Sequence, residues 1–237
     1  MLTINHFSKT YKGGKKAVDD LSLTIHAGDI FGFIGHNGAG KTTTIKAVAG
    51  IMDFEQGDIF INNISIKKDP IACKAITSYI PDNPDLYEHL TGIQYLNFIG
   101  DIFHIEQSER KTLIQAYGNR FEITQNLGDL ISSYSHGMKQ KLALISAFIH
   151  KPKLLVFDEP FVGLDPKAAH EVKEIMHEFC NNGSAIFFST HVLDVAEKLC
   201  NRIAIIKDGK LIVTGNTDEV KGNQSLENLF LELIDHD

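Results

Sequence analysis

Short apolar runs alternate with helical patterns in the second half of the chain. The runs at 154–157, 185–188 and 203–206 are almost entirely apolar, and the segments between them, 166–181 and 192–200, have helical periodicity. Apolar runs of this length are typical of strands buried on both faces. The resulting β-α-β-α-β order predicts a parallel sheet joined by crossover helices.

The first part of the chain has more strands and more polar turns. Segments 2–7 and 21–25 alternate between apolar and polar residues, as half-buried strands do. Segment 30–34 is a continuous apolar run, and two further strands are predicted at 57–61 and 76–80. This region is therefore predicted to be rich in β-structure.

The middle of the chain changes to helical periodicity with few strand signals. The pattern is clearest at 92–103, 109–121 and 137–148, which predicts a mostly helical subdomain inserted into the α/β core. We expect one domain over 1–237, divided into a core with a β subdomain (1–83 and 150–215), a helical subdomain (84–149) and a short helical tail (216–237).

The C-terminal end is predicted to form a hairpin and then a helix. Asp208-Gly209 lies between two strand-like runs, a strong hairpin signal. Apolar residues then recur at helical spacing, and this stripe is expected to pack on the chain's own surface. They are Leu226, Leu229, Phe230 and Leu233.

Composition favours one globular α/β unit and limits the partners. The 237 residues are 43% hydrophobic, and 23 Lys+Arg against 30 Asp+Glu give a net charge of −7. A globally basic nucleic-acid-binding surface is thereby excluded, although a local basic groove is not. Neither a signal peptide nor a membrane span is expected, and Cys73, Cys180 and Cys200 are expected to be reduced thiols.

A glycine-rich loop follows the apolar run at 30–34 and precedes a predicted helix. Backbone amides of such a loop, together with the positive end of the helix, form a phosphate-binding hollow. Lys41 is then expected to reach the β- and γ-phosphates, and the Thr42 hydroxyl to bind Mg²⁺. The loop is Gly35-His36-Asn37-Gly38-Ala39-Gly40-Lys41-Thr42.

Two acids end the apolar run at 154–157. Asp158 and Glu159 would lie at the carboxyl end of a parallel strand, where α/β sheets bind ligands. Asp158 suits Mg²⁺, directly or through water, and Glu159 could polarise a water molecule against the γ-phosphate. By themselves, two acids could equally begin an ordinary loop.

Four further motifs give the chain a resemblance to the ATP-binding subunits of ABC transporters. Ser135-His136-Gly137-Met138-Lys139-Gln140 resembles the signature motif of that family, and Gly163-Leu164-Asp165-Pro166 resembles its D-loop. His191 matches the switch histidine, and Tyr11 matches the aromatic residue that stacks on adenine. The motifs occur in the family's order and cover nearly the whole chain.

The resemblance implies a fold, a reaction and a set of site residues. The fold would be a P-loop NTPase core with a mainly parallel sheet, an N-terminal antiparallel β subdomain and an inserted helical subdomain. Catalysis would involve Lys41, Glu159 and His191, with Mg²⁺ held by Thr42, Asp82 and Asp158. ATP would contact Tyr11, Gly35, His36, Asn37, Gly38, Ala39, Gly40, Lys41, Thr42, Thr43, Ser135 and Gly137.

In that family, each ATP lies between the phosphate loop of one chain and the signature segment of another. Ser135 and Gly137 would therefore complete the pocket of a second copy or of a related subunit. Ser135 is also expected to cap the helix that it precedes. Asp165 would organise the dimer interface, or simply cap the helix that begins with Pro166.

The chain departs from the family pattern at two places. Asp82 stands where Gln is usual; a carboxylate can bind Mg²⁺ but cannot donate a hydrogen bond as the amide does. In the signature segment, Tyr134, His136 and Met138 replace the usual Leu, Gly and Gln. His136 beside a triphosphate could make dimer closure pH-sensitive, which hydrolysis measured from pH 6 to 8 in His136→Gly would test.

The resemblance implies a transport ATPase that drives a separate membrane permease from the cytoplasmic face of the cell membrane. Pro84, Leu86 and Tyr87 would either receive that permease or simply pack the linker. The signature variant and the short tail are more similar to exporter-type systems than to sugar importers. A non-transport ABC ATPase acting on nucleic acid or ribosomes is the alternative, and a small-molecule kinase is a more distant one; no nucleic-acid partner is expected.

Overall fold

The computed structural model describes residues 1–235, which form two β-sheets surrounded by helices. The strands are β1 (Leu2–Thr10), β2 (Lys16–Ile25), β3 (Ile30–Ile34), β4 (Gln56–Ile61), β5 (Ile64–Ser65), β6 (Thr77–Ile80), β7 (Leu154–Asp158), β8 (Ala185–Thr190), β9 (Arg202–Lys207) and β10 (Lys210–Asn216). The helices are α1 (Lys41–Val48), α2 (Pro70–Ala75), α3 (Gly92–Ile102), α4 (Gln107–Arg120), α5 (His136–Phe148), α6 (Pro166–Asn181), α7 (Leu193–Leu199), α8 (Thr217–Lys221) and α9 (Leu226–Asp235).

The larger sheet has six strands in the order β10-β9-β3-β8-β7-β6. Every neighbouring pair is parallel except β9 and β10, which are antiparallel. Asp208 and Gly209 join those two strands with φ angles of 49° and 80°, the positive values that a two-residue type I′ hairpin needs. The prediction of a mainly parallel sheet is confirmed.

The parallel strands bring four chemically important positions to one edge of this sheet. β3, β6, β7 and β8 run in the same direction, so that their carboxyl ends lie together. Shortly after those ends come Gly35, Asp82, Glu159 and His191, respectively. The fold therefore gathers residues that are far apart in the sequence.

The smaller sheet is entirely antiparallel, with the strand order β2-β1-β4-β5. Its apolar side chains, such as Leu2 and Ile59, share one hydrophobic cluster with Phe31 and Phe33 of the larger sheet. This confirms the predicted N-terminal antiparallel subdomain. Sequence analysis did not predict β5 or α2, because a two-residue strand and a six-residue helix have too few positions to show a period.

The predicted helical region contains α3, α4 and α5, together with two 3-10 turns at Thr124–Asn126 and Ile131–Ser133. Its apolar side chains are continuous with the other face of the larger sheet, where Phe148 packs edge-on against Phe157 with ring centroids 6.4 Å apart. The helices thus form one layer over the core. The division at residues 84 and 149 stays a prediction.

The C-terminal stripe packs on the chain itself. Leu226 is fully buried, and Leu229, Phe230 and Leu233 are partly buried against the same hydrophobic cluster. The Glu197 carboxylate accepts a hydrogen bond from the Leu226 amide at 2.9 Å, which fixes the start of α9 against α7. The last two residues of the predicted tail lie outside the described residues.

The described helices and cysteines agree with the expectations from composition. Among residues 1–235, no helix is both long enough and apolar enough to cross a bilayer. Cys73, Cys180 and Cys200 are free and buried, and burial raises the pKa of the Cys180 thiol to about 12. These thiols are therefore protonated packing residues at neutral pH.

Candidate nucleotide site

A cleft of about 610 Å³ opens at the carboxyl edge of the larger sheet. Its walls come from the turn after β1, the loop before α1, the segment after β6 and the end of β7. The lining residues are Tyr11, Lys12, Lys15, Ala17, Asn37, Gly38, Gly40, Lys41, Thr42, Thr43, Asp82, Asp158 and Glu159.

The glycine-rich loop is held tightly between neighbouring strands. A Cβ atom added to Gly40 would lie 2.4 Å from the Ala17 carbonyl oxygen, and one added to Gly35 would lie 2.5 Å from that of Ile206. Gly40 also has a φ of 109°, which side-chain-bearing residues rarely adopt. Only glycine fits at either position, and the loop leads directly into the N-terminus of α1 at the cleft.

Lys41 is held over the loop by the loop's own carbonyl groups. Its Nζ donates hydrogen bonds to the Gly35 oxygen at 2.6 Å and to the His36 oxygen at 3.2 Å, and the residue is only 7% exposed. Burial lowers the Lys41 pKa, while Glu159 and Asp158 act in the opposite direction. The ammonium group is thus fixed at the cleft without a direct acid partner, in place to meet an anionic ligand.

Asp158 is buried and oriented by a neighbouring strand. Ser189 lies opposite Asp158 in the β7–β8 register, and its Oγ donates a hydrogen bond to Asp158 Oδ1 at 2.5 Å. Thr42 and Asp82 line the same cleft, so hydroxyl and carboxylate oxygens face a common space. These are the ligand types that Mg²⁺ prefers, and the residues present fit this ion together with nucleotide oxygens.

Glu159 has a constrained backbone and a directed side chain. Its φ is 53°, unusual for a residue with a side chain, and its amide donates to the Ser189 carbonyl at 3.2 Å. Glu159 Oε1 lies 2.8 Å from His191 Nδ1. Such positive φ values in side-chain-bearing residues are concentrated at functional sites.

The contact with Glu159 has a consequence for His191. When Nδ1–H donates to the carboxylate, a neutral imidazole has only an acceptor at Nε2. His191 can donate to a phosphate oxygen in this geometry only as the imidazolium ion, or after the contact with Glu159 has opened.

Tyr11 is fixed at the other end of the cleft. Its hydroxyl lies 3.1 Å from Thr43 Oγ1 and 3.4 Å from Met52 Sδ, and the residue is 43% exposed. The hydroxyl thereby links the turn after β1 to the first turn of α1. The partly exposed ring provides an apolar surface beside the phosphate loop.

Ser135 and Gly137 do not line the cleft. Ser135 Oγ accepts a hydrogen bond from the Met138 amide at 3.3 Å and caps α5, as expected. The His136 ring packs over Gly163, since a Cβ atom added there would lie 2.7 Å from His136 Cδ2. The start of α5 is therefore in contact with the loop that precedes α6.

Asp165 connects that loop to the same helix. It caps α6 through the Ala168 amide at 2.8 Å and forms an ion pair with Lys141 of α5, also at 2.8 Å. Lys141 and the Ala168 amide lower the pKa of the Asp165 carboxyl. In this single chain, the capping role expected of Asp165 is observed.

The structure brings most of the predicted site residues together but not all of them. Ten of them line the cleft, and these are Tyr11, Asn37, Gly38, Gly40, Lys41, Thr42, Thr43, Asp82, Asp158 and Glu159. Gly35, His36 and Ala39 complete the loop behind the cleft, and His191 reaches it through Glu159. Ser135 and Gly137 remain apart.

Sequence analysis missed Lys12, Lys15 and Ala17 of the cleft wall and Ser189 beside Asp158. Lys12 and Lys15 belong to the polar turn next to Tyr11, so the basic composition of that turn was the available signal. Ser189 had a weaker signal, a hydroxyl at the end of an otherwise apolar strand. Its distance from Asp158 depends on which strands pair, which local sequence does not specify.

Comparisons with known proteins agree with this geometry. The family model described as "ABC transporter" matches residues 18–162. The ABC transporter ATP-binding protein YthP of Bacillus subtilis is 37% identical over 217 residues, covering 92% of this chain and 87% of that protein. The linearmycin resistance ATP-binding protein LnrL of Bacillus subtilis is 31% identical over 93% of this chain and 70% of its own length.

A solved structure extends the similarity to three dimensions. The structure described as the ATP-binding subunit of an ABC transporter has a TM-score of 0.95 and 32% sequence identity, covering 99% of both chains. The sequence match and the fold match thus span the same elements, including the phosphate loop and the acids that end β7.

Proposed function

This chain belongs to the ABC transporter family as an ATP-binding protein, and we propose that it is the ATP-hydrolysing subunit that drives a separate membrane permease. The observation that carries this proposal is the cleft itself. Its walls join a phosphate loop to Asp158 and Glu159, while Ser135 caps a helix outside it. One chain therefore has the parts for binding a triphosphate but does not enclose it.

The residues of the cleft have separable roles in hydrolysis. Lys41 and the amides of the loop bind the β- and γ-phosphates, and Tyr11 stacks on the base. Thr42, Asp82 and Asp158 would hold Mg²⁺, which supplies charge neutralisation for the phosphoryl group when bound. Glu159 accepts a hydrogen bond from the attacking water and orients it towards the γ-phosphate.

His191 acts through its contact with Glu159 in the nucleotide-free arrangement. The imidazole holds the carboxylate 2.8 Å from Nδ1 at the rim of the cleft. In the proposed reaction, the ring exchanges this partner for a phosphate oxygen when a γ-phosphate is bound. His191 therefore positions the groups around the attacking water in place of acting as the base itself.

A second copy, or a related chain, completes the pocket. Ser135 and Gly137 begin α5, whose N-terminal amides and capping hydroxyl suit an anion. If this helix end of each subunit docks over the γ-phosphate of the ATP bound to the other subunit, two ATP molecules are enclosed between the two subunits. Hydrolysis then removes the phosphate contacts that hold the two chains together, and the pair opens.

An exposed aromatic cluster between the core and α3 is the proposed docking surface for the permease. Tyr87 is 51% exposed and contacts the rings of Tyr95 and Phe98 at centroid distances of 6.2 and 5.7 Å. Pro84 and Leu86 are largely buried but line a neighbouring surface cleft, so all three residues remain candidates for this contact. This docking would place the protein on the cytoplasmic face of the cell membrane.

Export is the proposed direction of transport. The signature variant resembles exporter-type systems, and one relative is described by its name as a linearmycin resistance protein. Resistance to an external compound is consistent with outward movement of that compound by the relative's system. The alternative, a non-transport ATPase acting on nucleic acid, is disfavoured by the net charge of −7.

The proposal is tested by isolating the chain with its natural partner. We expect it to release inorganic phosphate from MgATP with no added acceptor, and to co-purify with a hydrophobic multispan protein. Phosphate transfer to a small molecule in place of water would support a kinase instead. Co-purification with DNA or ribosomes, and with no membrane protein, would contradict the transport function.

A further inference from the structure

The turn after β1 carries two lysines on the wall of the nucleotide cleft. Lys12 and Lys15 both line it, on either side of a glycine pair. Two backbone hydrogen bonds close the turn, from the Tyr11 amide to the Lys15 oxygen at 2.9 Å and from the Gly14 amide to the Tyr11 oxygen at 3.0 Å. Both ammonium groups are therefore tethered beside Tyr11 by a short, closed turn.

The lysines around this turn differ in whether they have acidic partners. Lys16 is paired with Asp19, and Lys9 is 3.7 Å from Glu55. Within residues 1–235, Lys12 and Lys15 have no hydrogen bond or ion pair from their side chains. Their charges are thus not used in holding the turn in place.

The net charge of the residues that line the cleft depends on the ammonium groups of these two lysines. Without this turn, the lining contains one ammonium group (Lys41) and three carboxylates (Asp82, Asp158 and Glu159), a net charge of −2. MgATP itself carries about two negative charges at neutral pH, so the net charge of this lining works against its approach, although Asp82 and Asp158 can bind its Mg²⁺. Lys12 and Lys15 bring the lining to neutrality.

We infer that Lys12 and Lys15 form a cationic arm that captures the phosphate chain of MgATP on a single subunit, before two subunits close. The inference rests on the proposed ATPase function and deepens it. Lysine has three donors and no acceptor, so the arm recognises phosphate oxygens and not a particular base. Because the arm is solvent-exposed, its attraction is screened by salt.

The test compares nucleotide affinity in the wild-type chain and in three double variants. Lys12→Gln/Lys15→Gln removes both charges, and Lys12→Arg/Lys15→Arg keeps them. Lys68→Gln/Lys111→Gln is the matched control, since these exposed lysines lie outside the cleft. Dissociation constants are measured calorimetrically for MgATP, MgADP and adenosine at ionic strengths of about 0.05 M and 0.5 M.

We expect the glutamine pair to weaken MgATP binding about tenfold at low ionic strength, because two exposed charges that attract the phosphate chain are removed. The effect should shrink at high ionic strength, be smaller for MgADP and vanish for adenosine. The arginine pair and the control pair should bind MgATP as the wild type does.

Two results would overturn the inference. One is that the glutamine pair binds MgATP with the same affinity and the same salt dependence as the wild type. The other is an equal loss of affinity for adenosine and MgATP, which would mean that the lysines only shape the turn. Either result leaves the proposed function intact provided that the wild type binds and hydrolyses MgATP; a wild type that does neither would instead remove the proposed function.

Discussion

Glu159 combines a strained backbone with a side chain already engaged by another group. Its φ of 53° is maintained by amide hydrogen bonds to Ser189, and its carboxylate faces His191. Strain of this kind persists only where the surrounding structure holds it in place. In a protein of this family, the geometry fits a group that must point at one water molecule.

Replacing Glu159 by Gln should separate ATP binding from hydrolysis. The amide keeps the size of the side chain but cannot act as a base, so we expect turnover to fall at least a hundredfold. ATP-bound dimers should then accumulate and be visible by size-exclusion chromatography with light scattering. Glu174→Gln, an exposed acid on α6, is the control, and near-wild-type turnover in Glu159→Gln would remove Glu159 from the proposed role.

Lys41→Ala should act on binding itself. The loss of a buried ammonium group that faces the phosphate site removes charge-assisted hydrogen bonds, and we expect the MgATP dissociation constant to rise at least about tenfold. Fluorescent-nucleotide titration measures this directly. Lys46→Ala changes an exposed lysine on the same helix and should leave the affinity unchanged; equal affinities in both variants would contradict the placement of Lys41.

At the residue scale, contiguous motifs could be predicted and the contacts between strands could not. The loop at 35–42 and the pair Asp158-Glu159 are local in sequence, so their chemistry is visible in residue order. Ser189 and Lys15 reach the site only because of strand pairing and turn geometry. Their roles depend on distances that no local pattern encodes.

At the scale of elements, α5 connects the helical layer to the sheet through a partly buried histidine. His150, two residues beyond the end of α5, stacks on Phe103 with ring centroids 3.7 Å apart, and its Nε2 lies 3.3 Å from Ser78 Oγ of β6. Burial lowers the His150 pKa from 6.5 to about 4, although the nearby backbone groups of Thr77 and Ser146 act in the opposite direction. The histidine is therefore neutral in the folded protein at neutral pH.

This burial predicts a loss of stability in acid. Below pH 6.5 the unfolded chain takes up a proton that folded His150 accepts only near pH 4, so unfolding becomes easier as the pH falls between these values. The contribution amounts to about 2 kcal/mol between pH 7 and pH 5. The glutamine of His150→Gln cannot titrate. The free energy of unfolding of this variant should therefore change by about 2 kcal/mol less between pH 7 and pH 5 than that of the wild type.

Urea unfolding at pH 7 and pH 5 measures this difference. His177→Gln on α6 is the matched control, because His177 is exposed, and its profile should follow the wild type. A His150→Gln profile that also follows the wild type would contradict the burial of a neutral imidazole at this joint.

The elements differ in how clearly the sequence predicts them. Strands β3, β7 and β8 are fully buried, and their continuous apolar sequence makes them easy to recognise. Helix α4 was predicted within two residues at either end, although most of its surface is polar. Helix α2 was missed, because its six residues depend on an Asp69 cap and on packing with neighbouring strands.

At the scale of the whole molecule, the separation of Ser135 from the cleft is the central feature. Ser135 is not among the residues that line the cleft and caps a helix at the surface. In a twofold-symmetric pair, each subunit would use its cleft and its α5 end on opposite sites. The sequence indicates this arrangement only through the resemblance to the family, because the pattern of one chain does not show which residues contact a second chain.

Mixing two inactive variants should restore activity if the pocket is shared. Ser135→Asp keeps a helix-capping oxygen but places a negative charge where the facing triphosphate would lie. A mixed pair of Lys41→Ala and Ser135→Asp chains has one site with both groups intact. With random pairing and independent sites, an equal mixture should regain up to about a quarter of wild-type turnover.

The control for this mixture pairs Lys41→Ala with the double variant Lys41→Ala/Ser135→Asp, which has no intact site. It should remain inactive. If differently tagged variants co-purify as mixed dimers and the first mixture is still no more active than the second, a pocket divided between two chains is contradicted.

The most direct measurement is the rate of ATP turnover per chain as the purified protein is diluted at saturating MgATP. If two copies build each working site, turnover per chain should fall steeply once the concentration drops below the dimer dissociation constant, and Ser135→Asp should be inactive throughout. A rate per chain that stays constant on dilution, with Ser135→Asp equal to the wild type, would contradict the account.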